Sequence, residues 1–376
     1  MKKVNPIMQW WMTPKLPYHD IFEFPLLVDR SKFGKLKHFL PHWAIHPIKR
    51  RLARWYLRVL QKFTNITVIG VTGSAGKSTT VQMIASVLRT KARTIATPPS
   101  IDPIYNVPNT ILKCPPNAKF LILEMSVEYP GEMDYYLWLA RPDMGLITNI
   151  FPTHTEFLIN EEGVLKEKRK LTSRLRLGGI AVLNKKDERL KNLPVKHGVK
   201  VVWFDGDNAN AARAVGKIFE VSKEDIEAGI KNYERPKHRL TLIKLASGAT
   251  LLDDSYNANP EAVLATLRYF NKLAGKKPKI AVLGDMLELG KLEESEHRRV
   301  GSEAAKLNFE VVIGVGKAVK YLEEEARRHS TKIRTYLLSD QSQVLPVLGP
   351  LITKDTFILV KGSRSLGLDK LVDALA

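Results

Sequence analysis

Between residues 66 and 88 a β-branched run, ITVIGV (66–71), turns through GVTGSAGKSTT (70–80) into a stretch of helical spacing from Ser78 to Leu88. A strand that ends in a glycine-rich turn and continues as a helix commits the chain to a parallel βα unit. It also builds an anion site. Gly73 and Gly76 let the backbone wrap closely around phosphate oxygens, and the N–H groups of the loop and of the helix start supply positive potential. Gly73, Ser74, Ala75, Gly76, Lys77, Ser78 and Thr79 are therefore the expected ATP-binding residues. Lys77 is placed to reach the terminal phosphates, and Ser78 or Thr79 to ligate Mg²⁺. The strict form of this motif puts a glycine six positions before the lysine; here that position is Val71 and the glycine is Gly70. A bland reading, an ordinary βα turn with a chance Gly-Lys, is disfavoured by the strand before it and the helix after it.

The alternation continues. FLILEM (120–125) and MGLITNI (144–150) read as buried strands with helical stretches between and after them. A second series starts near Arg235: strands at 250–256, 279–286, 310–315 and 356–363, and helices at 260–274, 293–307 and 317–328. The pattern predicts an α/β chain, a central P-loop ATPase domain with a mostly parallel sheet plus a Rossmann-like C-terminal domain. The expected boundaries are 63–234 and 235–376, preceded by a basic, aromatic extension, 1–62.

That extension is where the charge sits. The 376 residues carry a net +20, and residues 1–62 hold thirteen Lys/Arg against three Asp/Glu, half of the excess. Four of the six tryptophans, Trp10, Trp11, Trp43 and Trp55, lie there too. Such a field favours anionic partners without choosing among nucleotides, phosphorylated substrates, lipid or nucleic acid. From Ile48 the spacing becomes helical. Ile48, Leu52, Trp55, Tyr56, Val59 and Phe63 form one face and Arg50, Arg54 and Arg58 another. Two readings stay open: a helix packed on the ATPase domain with its arginines in solvent, or a helix that docks on an anionic membrane surface. No run of about 18 apolar residues suits a membrane span. The lone Cys114 fits a reducing compartment, so the expected location is cytoplasmic, with peripheral attachment at the inner membrane face as the further possibility. A nucleic-acid-binding ATPase rests on charge alone and has no recognition motif behind it.

The loop TGSAGKST resembles that of the Mur ligase family, and the resemblance extends over about residues 64–376. LEMSVEYPGEMDY resembles the MurF-type stretch in which Glu124 is followed by PGE. DDSYNANPEA (253–262), AVLGDMLELG (281–290) with His297, and LVKGSRSLGLDKLV (359–372) resemble three C-terminal motifs of the same type. The resemblance implies an ADP-forming ligase that joins a carboxylate to an amine through an acyl phosphate, with ATP and Mg²⁺. The nearest implied reaction adds D-alanyl-D-alanine to a peptidoglycan precursor peptide.

It also implies roles. Glu124, at a strand end beside the phosphate loop, would hold Mg²⁺, and His154, in TNIFPTH, would join a second Mg²⁺ site. Lys168 falls where the family carries a carbamylated lysine, although Lys166 and Lys170 lie close by. Lys77, Glu124, His154, Lys168 and Arg239 are the expected catalytic group, and Ser78, Glu124, His154 and Lys168 the expected metal ligands. Asp253 or Asp254 would bond the nucleotide sugar, and Asn257 and Asn259 the adenine. Lys361, Ser363 and Arg364 would grip the carboxylate of the incoming amine. Asn106, in YNVPNT, would line the substrate cleft or belong to a plain loop.

Two departures bear on the substrate. The residues before the loop show no pattern of the family's UDP-sugar domain, and the segment between Asn184 and GDNANAARAVG (206–216) is short. The expected partners are a phosphorylated, peptide-bearing precursor and an amino acid or dipeptide, with weak discrimination on the sugar. A ligase of the same superfamily acting on a different acid and amine is the alternative, and a non-catalytic ATP-binding partner protein is a further one.

Overall fold

The computed structural model describes Ile7, Trp10, Trp11 and residues 41–99 and 101–376; the side chain of Trp43 and residues 12–40 lie outside the described residues. The chain forms two units, Met1–Phe151 with Asn160–Pro236, and Pro152–Ile159 with Lys237–Ala376.

In the first unit a π-helical turn, Pro41–Ile45, leads into helix α1 (His46–Phe63). Strand β1 (Thr67–Thr72) then runs into helix α2 (Lys77–Arg89). Strand β2 (Thr94–Ala96), helix α3 (Pro103–Leu112), strand β3 (Phe120–Glu124), helix α4 (Glu132–Leu139) and strand β4 (Met144–Ile147) follow. After helix α5 (Glu161–Lys168) come strands β5 (Ile180–Asn184) and β6 (Lys200–Phe204), then helices α6 (Asn208–Ile218) and α7 (Lys223–Lys231). The sheet order is β2-β3-β1-β4-β5-β6, with every neighbouring pair parallel. β1 is thus flanked by β3 and β4, which leave it in opposite directions. That reversal opens a crevice at the strands' C-terminal ends, where α/β sheets bind ligands. Ile69, Val71, Ile122, Leu146 and Val182 from the sheet pack on Val81, Ile84 and Val87 of α2 and on Ala211 and Val215 of α6. Each such fully buried aliphatic contributes about 2 kcal/mol, so the turn between β1 and α2 is pinned from both sides.

Helix α1 departs in part from the side-chain assignment expected from sequence: Arg58 is exposed as expected and Tyr56 and Val59 are partly buried, but Arg50 is not in solvent. The packed face of α1 is Pro47, Arg50, Ala53, Leu57 and Leu60. Arg50 is 2% exposed, with its guanidinium 5.8 Å from the Tyr105 ring and 5.7 Å from the Tyr135 ring. Arg54 lies over Trp138. The expectation of arginines in solvent therefore fails for Arg50, because two tyrosine faces and a long aliphatic stem suit burial of a guanidinium. Ile48, Leu52, Trp55 and Phe63 are exposed instead.

The second unit holds strands β7 (Thr241–Lys244) and β8 (Thr250–Asp253), helix α8 (Pro260–Ala274), strand β9 (Lys279–Gly284) and helix α9 (Glu293–Lys306). Strand β10 (Val311–Val315), helix α10 (Val319–His329), strands β11 (Arg334–Leu338) and β12 (Phe357–Lys361) and helix α11 (Leu368–Leu375) complete it. The order is β11-β10-β9-β12-β8-β7, parallel except for β7 against β8. Core residues lie on both faces: Leu264, Leu267 and Phe270 of α8 with Val300 of α9 on one, and Leu368, Leu371 and Val372 of α11 on the other. α8 matches the predicted 260–274 because Asn259 caps it by accepting from the Ala262 N–H, Pro260 starts it and Gly275 ends it.

Candidate active site

In the first unit the loop after β1 is held by the strand ends beside it. Gly73 has φ 146°, and a Cβ there would meet Thr148 Oγ1 at 1.9 Å; Gly76 has φ 78°, and a Cβ would meet Asn208 Oδ1 at 2.5 Å. Only glycine satisfies both limits. Gly76 is also the N-cap of α2 and brings no side-chain cap. Ser74 and Ala75 are used differently from the expectation. The Ser74 N–H donates to the Asn149 carbonyl, the Ala75 N–H to Asn149 Oδ1, and Ser74 Oγ to the Phe151 carbonyl. Their donors brace the loop against the end of β4. Asn184 supports the same edge by donating to the Thr148 and Gly206 carbonyls, and Asp187 accepts from the Ile150 N–H.

Glu124 closes β3 opposite Val71 of β1, at the edge from which the loop leaves. Its N–H donates to Thr97 Oγ1. Ser78 lies in the first turn of α2 and is buried. Lys168, at the end of α5, is 1% exposed. Burial pushes its pKa down to about 7, and the nearby Lys77 ammonium pushes the same way. A lysine in that state is an uncharged amine in a large fraction of molecules at neutral pH. The neighbouring Lys170 ammonium is tied to Asp134 and Glu167 at 2.6 Å each. Asn106 lies in α3 rather than in a loop; it is buried, and its amide donates to the Pro98 carbonyl at 2.7 Å.

In the second unit His154, at φ 55°, pairs through Nδ1 with Glu288. Thr155 Oγ1 donates to the Leu289 carbonyl, and the Glu156 N–H to the Glu288 carbonyl. The Arg239 guanidinium lies 4.3 Å and that of Arg364 5.1 Å from the Tyr256 ring centre. Arg239 Nε is buried without a hydrogen-bond partner. Two cations gathered on one ring, one of them with an unsatisfied donor, make a place for an anion.

Two assignments change here. Lys361 Nζ donates to Asp254 Oδ2 at 2.5 Å and to the Asn257 carbonyl at 3.0 Å, and Asp254 also accepts from Thr266 Oγ1. Both side chains are nearly closed to solvent, so each satisfies the other rather than standing open to a carboxylate or a sugar. Asn259 Oδ1 is the α8 cap, and Asn257 Oδ1 accepts from the Ala258 N–H. Asp253 accepts from Ser255 and pairs with His238. Ser363 Oγ accepts from the Leu287 N–H, and Arg364 pairs with Asp369 at 2.8 Å.

Thr148, Asn149, Asp187, Asn208, Tyr256 and Glu288 were not marked from sequence. Each lies just beyond a strand or opens a helix, and that position was the available signal.

A parallel sheet whose first strand feeds a glycine-shaped, lysine-tipped loop into a helix defines a nucleotide-phosphate-binding α/β protein, here with a second Rossmann-like unit. The sequence matches the Mur ligase middle domain over residues 71–245 and the Mur ligase glutamate ligase domain over residues 238–364. It is 31% identical over 363 residues to the UDP-N-acetylmuramoyl-tripeptide--D-alanyl-D-alanine ligase of Bacillus subtilis, covering 87% of this chain and 78% of that protein. The fold is similar to MurF from Acinetobacter baumannii, with TM-score 0.77 and 24% identity over 87% of this chain and 79% of that one. It is also similar to MurF ligase from Thermotoga maritima in complex with ADP, with TM-score 0.74 and 23% identity over 87% and 82% of the two chains. This chain belongs to the Mur ligase family and is similar to its MurF members.

Proposed function

We propose that the enzyme adds a D-alanyl-D-alanine dipeptide to a UDP-N-acetylmuramoyl tripeptide, the reaction for which the Bacillus subtilis relative is named. The observation that carries the chemistry is Lys168, a buried amine with a depressed pKa in the same unit as the phosphate-loop lysine. An uncharged amine can take up CO₂, and the resulting carbamate is an anionic oxygen ligand. The substrate's peptide carboxylate attacks the γ-phosphorus of ATP, the bond to the β-phosphate oxygen breaks, and ADP leaves. The dipeptide's amine then attacks the acyl carbon, loses a proton, and phosphate departs.

Lys77 is assigned to offset charge on the transferring phosphoryl group, and Arg239 keeps the catalytic role that the family resemblance implies. Ser78 and Glu124 present hard oxygens that suit Mg²⁺, and carbamylated Lys168 would add another. His154, oriented by Glu288, is assigned to the second metal position. When bound, Mg²⁺ would neutralise phosphate charge. Arg364 is assigned to the dipeptide carboxylate, with Ser363 and the Lys361–Asp254 pair holding its segment. The free amide ends of Asn257 and Asn259 are assigned to adenine, and Asn106 shapes the wall of the substrate cleft.

The test is ADP release by the purified chain with each substrate omitted in turn. Release that needs ATP, the tripeptide precursor and the dipeptide together is expected. Equal release without the dipeptide or without the precursor would overturn the ligase reading, and full activity with a different acid and amine would overturn the substrate.

A further inference from the structure

Helix α1 is apolar on two sides. Ala53, Leu57 and Leu60 pack inward, while Ile48, Leu52, Trp55 and Phe63 are 56%, 49%, 62% and 72% exposed. The spacing of the outer set is four, three and eight residues, so at 100° per residue the four side chains fall within about 80° of one another. Ile45, one turn earlier, extends the stripe at 52% exposure. A bare stripe of this kind on a folded domain marks a surface that meets something apolar.

What borders the stripe selects the partner. Residues 41–65 contain six Lys/Arg and no Asp or Glu. Arg51, Arg58 and Lys62 follow the stripe along one flank, with Arg58 and Lys62 exposed. Arg51 donates to the Trp10 and Trp11 carbonyls at 2.7 Å each and lies under both rings. Trp10 is itself 64% exposed, so an indole stands beside the basic flank. Indole, aliphatic stripe and bordering cations are the composition of a helix that lies in the headgroup layer of an anionic bilayer. A phosphorylated small molecule would ask for converging donors and gives no reason for Ile48, Leu52 and Phe63 to face outward. Among the described residues no helix is long and apolar enough to cross a membrane, so the geometry is that of a helix lying on the surface.

We propose that α1, with Trp10, is a docking surface for anionic phospholipid, laid parallel to the bilayer with Ile48, Leu52, Trp55 and Phe63 immersed. This goes beyond the ligase reading and does not depend on it.

The full-length protein is sedimented with phosphatidylcholine vesicles and with vesicles carrying phosphatidylglycerol, at low and high salt. Binding to the anionic vesicles that weakens with salt is expected. Arg58→Glu with Lys62→Glu should weaken it by about thirtyfold or more, given the usual contribution of each basic residue near such a surface. Leu52→Glu with Trp55→Glu should abolish it. Both variants alter exposed positions of α1, so ATP-dependent ligation of soluble substrates should be unchanged, which shows that they fold. The proposal is overturned if the wild type leaves the anionic vesicles unbound at low salt, or if the Leu52/Trp55 variant binds as the wild type does. It is equally overturned if the wild type is a dimer that this variant turns into a vesicle-indifferent monomer, because a second copy then covers the stripe.

Discussion

Carbamylation of Lys168 can be followed through pH. An ordinary lysine near pKa 10.5 is neutral in only about three molecules in ten thousand at pH 7. With burial and Lys77 bringing Lys168 to about 7, about half of the molecules are neutral there, a gain of roughly three orders of magnitude in the form that reacts with CO₂. The sign follows from the lowered value. The reactive amine is present above pH 7 and disappears as protons are taken up below it. Carbamate loading in bicarbonate buffer should therefore fall steeply between about pH 7.5 and about pH 6 and level off at higher pH. Loading is read by carbon NMR with labelled bicarbonate, alongside kcat. Lys168→Ala should lose about ten- to a hundredfold in kcat, the usual order when a group that supports a metal site is lost. Added short carboxylates should restore part of it. An active enzyme with an unmodified Lys168 amine, or loading that is flat across that pH range, would refute the reasoning.

Other positions separate folding from chemistry. Lys77→Ala should remove ADP release while leaving the circular dichroism spectrum and Tm unchanged; normal turnover would displace the site from this loop. Gly73→Ala forces a Cβ to 1.9 Å from Thr148 Oγ1, so nucleotide affinity measured by calorimetry should fall by at least tenfold, roughly the effect of a small misplacement at such a site. Lys361→Met leaves the Asp254 carboxylate buried without its ion pair and should cost about 3 kcal/mol in urea unfolding; a loss of activity at unchanged stability would return Lys361 to the substrate. Asn259→Ala removes the α8 cap and should cost about 1 kcal/mol.

The elements easiest to read in the sequence were those with both an apolar run and end signals. β1, β3 and β4 have continuous buried residues, and α8 carries its cap, its proline and its terminating glycine in plain order. The edge strands β6, β7 and β11 went unread because their side chains are only partly buried, and no long apolar run distinguishes them from loops. Site residues that belong to the loop itself were visible, since glycine, lysine and hydroxyl spacing is local. Thr148 and Asn149 were not, because their work is done across a strand gap of more than seventy residues. α1 shows a further limit. Periodicity divides a helix into faces but does not say which face is covered, and here Arg50 is buried between two tyrosines while Ile48, Leu52 and Trp55 are left outside.

The segment Pro152–Ile159 groups with the C-terminal residues although it is made long before them. Thr155 meets Leu289, and His154 meets Glu288, across 134 positions of chain. At ordinary translation rates the ribosome takes about 7 to 27 seconds to cover that distance. Through that interval all of Asn160–Pro236 emerges, so the first unit has the residues it needs while His154 still waits for its partner. Stalling near codon 285 should therefore leave a folded first unit with an unanchored 152–159 loop, open to a protease that the finished protein resists.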